Sequence, residues 1–271
     1  MILLYCDETN LEERNGDFLI YGGLGIPADR ALGLSRSVDD LRKEYKLDPT
    51  FRLKFNPGPK HLDHQEFIAL KQRVMEAAVA HGALLVAYLI LHDIAKSPDE
   101  GRRNGINVVC YHFDCLLRRS ERHGLVLIDR FNDAGNLIEA HLTEKFSIGL
   151  VGMPYSSQMR LGNIIGLHYS AIGQSHFPSI VDIVLGSLRF AINAHTRRKQ
   201  EHHVTAGALL KLLAPMCWRD KDNGPVSELS VAFSPKVVKA DHYRAAYQGL
   251  KDFLAANGIE TEQRIEAIRT Y

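Results

Sequence analysis

The sequence predicts an α/β domain in which a mixed β-sheet is flanked by helices. Short apolar runs with the composition of strands alternate with longer segments whose apolar residues recur at helical spacing. Two of these runs lie close together at the start of the chain, on either side of a polar stretch that ends in Asn15-Gly16, so we expect an antiparallel hairpin. Helical segments separate the later runs, which can therefore pair in parallel and complete a mixed sheet.

The first half of the chain supplies the hairpin, a central strand and three helices. Strands are predicted at 2–6, 17–27, 51–55 and 83–91, and helices at 28–47, 63–81 and 104–123. The run "ALLVAYLIL" at 83–91 has apolar residues on both faces, which is typical of a central strand. The run "FRLKF" at 51–55 alternates and is followed by Asn56-Pro57-Gly58, which indicates a short strand and a turn.

The second half continues the alternation. Strands are predicted at 124–129, 161–170 and 228–233, the last of them at a sheet edge, and helices at 133–146, 178–199, 205–215 and 241–257. Pro178 suits the start of its helix, where a missing N–H does no harm. We expect an α/β domain over 1–200 and a mostly helical C-terminal extension over 201–271, packed on the same domain.

Composition excludes several classes of protein. Of 271 residues, 45% are hydrophobic, and 33 basic residues nearly balance 32 acidic ones, so any anion-binding surface must come from local clustering. The four cysteines form no CxxC pair, which argues against a zinc ribbon and favours free thiols in a reducing cytoplasm. We find no signal peptide, and the longest apolar run is too short to span a bilayer, so no membrane association is expected.

Three aspartates end or interrupt apolar runs. Asp7 follows "ILLYC", Asp129 follows "LVLI", and Asp182 lies inside "SIVDIVLGSL". Each has a structural explanation, because Asp7 could begin a turn, Asp129 could cap a loop, and Asp182 could lie near the positive end of its helix. Two acids at strand ends and one in the early turns of a helix can also converge at one end of the sheet.

Convergence of these carboxylates would favour a divalent cation. Close carboxylates repel and raise each other's pKa, and a hard cation such as Mg²⁺ or Mn²⁺ removes that penalty. Two such ions can activate water and stabilise a leaving oxygen in phosphodiester hydrolysis. Glu8 and Asp133 are candidates to join the metal-binding shell.

Three segments resemble motifs of the domain of unknown function 3800 family. "YCDET…GDFLIYGGLGIP" is similar to its opening strands, "VLID" to its internal acid-ending strand, and "SHFPSIVDIVLGSLRFAIN" to its late helix. The resemblance covers roughly residues 1–195 and implies an RNase H-like sheet with a metal-dependent nuclease site. By position it implies that Asp7, Asp129 and Asp182 bind the metal. It also implies a link to mobile elements or phage defence.

The chain departs from this pattern in two places. Arg52 stands where the family often has a glutamate, while Lys54 and Phe55 fit its strand motif, and the glutamine of the late-helix motif is absent near Ser179. An arginine cannot bind a cation. It can hold a phosphate in a bidentate grip, or it can form a salt bridge that replaces the metal.

The densest basic segment, "HTRRKQEHH" at 195–203, leaves two interpretations open. Arg197 and Arg198 lie near a predicted helix C-terminus, where cations are favoured and solvated, or they contact phosphates beside the acidic site. Little aromatic interleaving accompanies the basic residues, so base stacking along a single strand is not indicated.

The sequence therefore predicts a nuclease that cuts RNA or DNA, with Arg52 or Lys54 steadying the scissile phosphate. The alternative is a catalytically inactive RNase H-like subunit for binding or assembly, which the arginine at position 52 motivates. Nucleic acid is the expected partner. A homo-oligomer or a protein of a defence system is a further expected partner.

Overall fold

Six strands form one sheet at the centre of the molecule. The computed structural model describes residues 1–12, 14–129 and 161–268. The strands are β1 (Ile2–Thr9), β2 (Phe18–Pro27), β3 (Leu84–Leu91), β4 (Gly124–Asp129), β5 (Ile164–Ser170) and β6 (Val231–Ser234). Their order across the sheet is β5-β4-β1-β2-β3-β6.

The sheet is mixed, as predicted. β1, β2 and β3 are successively antiparallel, so the expected N-terminal hairpin is confirmed. β4 pairs in parallel with β1, β5 with β4, and β6 with β3. β4 and β6 each follow helical segments of the chain, as parallel strands usually do.

Helices cover both faces of the sheet. They are α1 (Ala28–Glu44), α2 (His64–Ala80), α3 (Pro98–Arg119), α4 (Phe177–Thr196), α5 (His203–Leu213) and α6 (Asp241–Ala255). α3 packs on one face, and the other face is covered by α4 with α1, α2, α5 and α6 around it. The α/β class with helices flanking a mixed sheet is therefore confirmed.

Alternation along β1 assigns its acidic residues to different faces. Leu4 and Cys6 belong to the core beneath α3, whereas Tyr5 belongs to the core beneath α4. Because successive side chains of a strand point to opposite faces, Asp7 follows Tyr5 to the α4 face and Glu8 follows Cys6 to the α3 face. β1 runs through both acids to Thr9, so these residues lie within the strand and not beyond its end.

α4 is the central helix of the larger core. Among the described segments it is the one helix long and apolar enough to cross a membrane, but 72% of its apolar window is buried inside the molecule. Its residues Ile183, Val184 and Leu188 are fully buried against the sheet. The apolar composition of α4 thus serves the core of this fold.

The prediction of a strand at 51–55 is wrong. Leu53 and Phe55 are buried and Arg52 is exposed, but the segment pairs with no described strand. The backbone N–H of Phe55 instead donates a hydrogen bond to Oδ2 of Asp182 at 2.6 Å. The alternation in the sequence reflects alternating burial, which here occurs without sheet pairing.

Other predicted boundaries shift in informative ways. α3 begins six residues before the predicted position, because Ser97 caps it by accepting from the N–H of Glu100 and Pro98 occupies its first turn. Asp63 caps α2 in a reciprocal capping box with Glu66. The predicted helix at 133–146 lies outside the described residues.

The C-terminal region joins the same sheet. β6 extends the sheet beside β3, at the edge, as the sequence predicted. Tyr247, Leu250 and Leu254 of α6 are fully buried in the core beneath α4. The Tyr247 hydroxyl accepts a hydrogen bond from the N–H of Leu91 at 3.0 Å, which ties α6 to the end of β3.

Candidate functional site

Parallel pairing of β1 and β4 brings two of the predicted acids side by side. Cys6 lies opposite Ile128 in the register, so Asp7 and Asp129 are the next residues of the two strands. Neighbouring strands are about 4.8 Å apart. Tyr5 and Leu127 pack on the α4 side of the sheet, so Asp7 and Asp129 share that side.

α4 contributes the third acid. It packs on β1 and begins at Phe177, which places Asp182 in its second turn over the same face of the sheet. Oδ2 of Asp182 is occupied by the N–H of Phe55. Asp182 therefore also anchors the segment before α2 onto α4.

The electrostatics of Asp7 reflect this crowding. The pKa of Asp7 is raised to about 8, first by burial and then by the carboxylates of Glu8, Asp129 and Asp182. The backbone N–H of Glu8, which donates to Oδ1 of Asp7 at 2.8 Å, opposes that rise only in part. Asp7 is thus close enough to both Asp129 and Asp182 to be affected by their charges.

Glu8 has a basic partner from the opposite face of the sheet. Nε of Arg102 in α3 lies 3.5 Å from Oε1 of Glu8, and both side chains are only 12% exposed. Burial raises the pKa of Glu8, and the Arg102 guanidinium acts against that rise. Sequence reasoning could not find this pair, because it depends on the packing of α3 across β1.

A cleft of about 570 Å³ opens beside Glu8 and Asp182, while Asp7 and Asp129 do not line it. Its walls come from the end of β1, the segment at Phe55 and Asn56, and the outer face of α4. Acidic and basic side chains both line it: Glu8, Glu12, Asp182, Arg189, Arg197 and Lys199. The acids at the β1 end and the cations along α4 give the cleft two electrostatic regions.

The predicted phosphate-binding residues lie in different surroundings. Arg197 lines the cleft, but its guanidinium holds buried Asp17 with contacts of 3.0 Å from Nε and 2.6 Å from Nη2 to Oδ2. Arg198 is exposed and has a positive φ of 53° just after the end of α4. Lys54 is partly buried beside Phe55.

Arg52 lies away from the cleft. It lines a separate cavity of about 750 Å³ with Asp39 and His176, which are paired at 2.8 Å. Arg52 forms no ion pair with any residue that the structure describes, and the salt bridge into the acidic cluster that the sequence left open is not among the described contacts.

Arg189 is a cleft residue that the sequence analysis missed. It follows Asp182 by seven positions, which is two helical turns, so both side chains lie on one face of α4. That spacing was the available signal.

No preformed metal cage is present among the described residues, since no three His, Cys, Asp or Glu side chains are grouped closely enough to hold an ion as they stand. Asp133, the other expected member of the shell, lies outside them. What the described residues provide is a set of hard oxygen donors with crowded negative charge.

Comparison of the chain with protein-family models, with curated proteins and with solved structures finds no match.

Proposed function

We propose that this protein is a metal-dependent nuclease that hydrolyses phosphodiester bonds of RNA or DNA. The observation that carries the proposal is the negative charge crowded around Asp7, to which Asp129 contributes from the adjacent parallel strand and Asp182 from the helix packed over the sheet. Carboxylates so arranged are costly to the fold without a cation.

The sheet supports an RNase H-like architecture. Three antiparallel strands, β3-β2-β1, are followed by β4 and β5 added in parallel on the other side of β1. This order puts the acids of β1 and β4 at the same edge, where such a fold would carry its site. It also supports the resemblance to the domain of unknown function 3800 family, with β6 as an addition beyond β3.

The donor set fits Mg²⁺ or Mn²⁺. Both ions prefer carboxylate oxygens, and the crowded charge around Asp7 is what a divalent cation would neutralise. When bound, such an ion supplies a Lewis acid that activates water and stabilises developing negative charge on oxygen. Asp7, Asp129 and Asp182 would hold it. Glu8 would lie beside them, on the α3 face of the sheet, where it pairs with Arg102.

The chain's own residues set the geometry of the site. β1 and β4 fix the Asp7 and Asp129 backbones through the sheet ladder, and the core position of α4 fixes Asp182. The Phe55 N–H orients one oxygen of Asp182 and leaves the other available. Arg102 holds Glu8 at the edge of the cleft.

Cleavage assays with aspartate variants test this proposal. RNA, DNA and hybrid substrates are incubated with Mg²⁺ or Mn²⁺ and with wild type, Asp7→Asn or Asp182→Asn protein. We expect each variant to lose at least about a hundredfold in rate, a few kcal/mol of transition-state stabilisation. Asparagine at 182 can still accept from the Phe55 N–H, so loss of the fold does not explain a loss of rate.

Asp40→Asn is the matched control, because Asp40 is an exposed acid of α1 paired only to Lys43 among the described residues. It should cleave like wild type. Undiminished cleavage by both site variants would reject the assignment of these acids.

A second candidate function is an inactive RNase H-like subunit for binding or assembly. The ion pair of Glu8 with Arg102 and the absence of a closed metal cage among the described residues favour it. Under this alternative no substrate is cut in Mn²⁺, and wild type and Asp7→Asn protein behave alike.

A further inference from the structure

We infer that Arg189 binds the phosphate next to the scissile one and that the cleft takes a single strand of nucleic acid. This inference rests on the proposed nuclease function and names its substrate form and a substrate-positioning residue. Four features of the cleft carry it: the spacing of residues on α4, the support beneath Arg189, its lack of a described ionic partner and the size of the cleft.

One face of α4 runs along the cleft, which Asp182, Arg189 and Asn193 line. Asp182, Gly186, Arg189 and Asn193 recur at intervals of four, three and four residues, so they form one row on the helix. Arg189 is about 10 Å further along the axis than Asp182 at 1.5 Å per residue. A strand whose scissile phosphate lies at the acids would therefore pass over Arg189.

Phe55 supports Arg189 from below. Its ring is 8% exposed, and the Arg189 guanidinium carbon lies 5.7 Å from the ring centroid, within the range of a cation–π contact. Gly186 allows the Phe55 ring to lie close against the backbone of α4, because a Cβ at position 186 would lie 2.4 Å from Cγ of Phe55. The Phe55 N–H bound to Asp182 fixes the same residue from the acidic end.

Within the described parts of the chain, Arg189 has no acidic partner. It forms no ion pair or hydrogen bond with any described residue, whereas Arg197, further along the same helix, is held by Asp17. A planar guanidinium already positioned on a ring loses little freedom when it grips a phosphate with two N–H groups. Arg189 is thus better suited to bind a phosphate than either Arg197 or Arg52.

The size of the cleft suits a short stretch of a single strand. Its volume of about 570 Å³ is within the range of pockets that enclose a drug-sized molecule. One or two nucleotides fill such a space. On its far side Phe190 lies against His202, with ring centroids 5.4 Å apart, and both residues line the cleft beyond Arg189.

Binding measurements without metal separate this inference from catalysis. Fluorescence anisotropy is recorded in EDTA with the Asp7→Asn protein, using labelled single strands of RNA and DNA of about 12 nucleotides and the matching duplex. Adding Arg189→Gln should weaken single-strand binding about tenfold and lower the slope of log K against log salt by about 0.7 between about 50 and 200 mM salt. The parent should bind the duplex more weakly than the single strand.

Two further variants keep the test interpretable. Arg189→Lys retains the charge, so the salt slope should stay near the parent value while affinity falls by less than in the glutamine variant. Arg36→Gln removes an exposed cation of α1 outside the cleft and should change neither quantity. Unfolding midpoints of all variants are measured beside the binding curves.

Unchanged affinity and salt slope in Arg189→Gln, no single-strand binding by the parent, or equal binding of the duplex would each overturn the inference. Failure of the nuclease proposal looks different, because wild type would then cut no substrate, or cleavage would persist in Asp7→Asn, while the effect of Arg189 on binding remained.

Discussion

At the scale of single residues, Asp7 is the side chain that most clearly acts against folding. It is mostly buried within β1, and Glu8, Asp129 and Asp182 surround it with negative charge. A carboxylate in such a position destabilises the folded state unless it is neutralised. Sites built for binding often carry a stability cost of this kind.

Asp7→Asn should therefore stabilise the metal-free protein. The neutral asparagine removes the cost of burying a charge and the repulsion by the neighbouring carboxylates. At pH 8 in EDTA we therefore expect the free energy of unfolding to rise by about 1 kcal/mol or more, the value of one pKa unit. Addition of Mn²⁺ should raise the thermal midpoint of wild type and leave that of Asp7→Asn unchanged. Denaturant and thermal unfolding of both proteins, with and without Mn²⁺, measure this, and a wild-type midpoint indifferent to Mn²⁺ would count against the site.

At the scale of elements, α4 combines structural and functional roles on different sides. Its inner side fills the core, its outer row carries Asp182 and Arg189, and the turn at its end ties it to the start of β2. That tie is the bidentate contact of Arg197 with Asp17, to which the Thr196 hydroxyl also donates at 2.9 Å. Arg197 is therefore explained by the fold, although it lines the cleft.

Arg197→Ala should destabilise the protein more than Asp17→Asn. Without Arg197 the Asp17 carboxylate, 3% exposed, keeps only the Thr196 hydroxyl and the more distant Arg14, whose Nε lies 3.9 Å from Oδ2, and we expect a loss of about 3 kcal/mol. With asparagine at 17, the Arg197 side chain, 28% exposed, still reaches water, and we expect a loss of about 1 kcal/mol. Urea unfolding measures both, and equal losses or the reverse order would contradict a structural role for Arg197.

Most of the strands and helices in the first half of the chain could be predicted from the sequence. Strands β1, β2, β3 and β4 and helices α1 and α2 were evident because apolar periodicity and end signals agree there, as in the capping box at Asp63. The segment at 51–55 was wrongly predicted as a strand. Alternating burial also arises where an extended segment crosses a helix, as this one crosses α4 at Asp182 and Gly186. The start of α3 was missed because Gly101 interrupts its apolar pattern there, although Gly101 packs tightly against Leu19.

At the scale of the whole molecule, the site arises from topology. Asp7 and Asp129 are far apart in sequence, and only the parallel pairing of β4 beside β1 makes them neighbours. Their proximity was predictable in outline, because acids at the ends of two parallel strands lie at the same end of the sheet. The individual partners were not predictable, because the bond from Phe55 to Asp182 spans 127 positions and that from Arg197 to Asp17 spans 180.

Asp7, Asp129 and Asp182 are proposed to bind the same divalent cation. Anomalous diffraction from a crystal soaked in Mn²⁺ tests it most directly. We expect a manganese peak in contact with carboxylate oxygens of Asp7 and Asp129, on the α4 side of the sheet and beside Asp182. A well-diffracting soaked crystal with no peak there, or with manganese bound only elsewhere on the molecule, would contradict it.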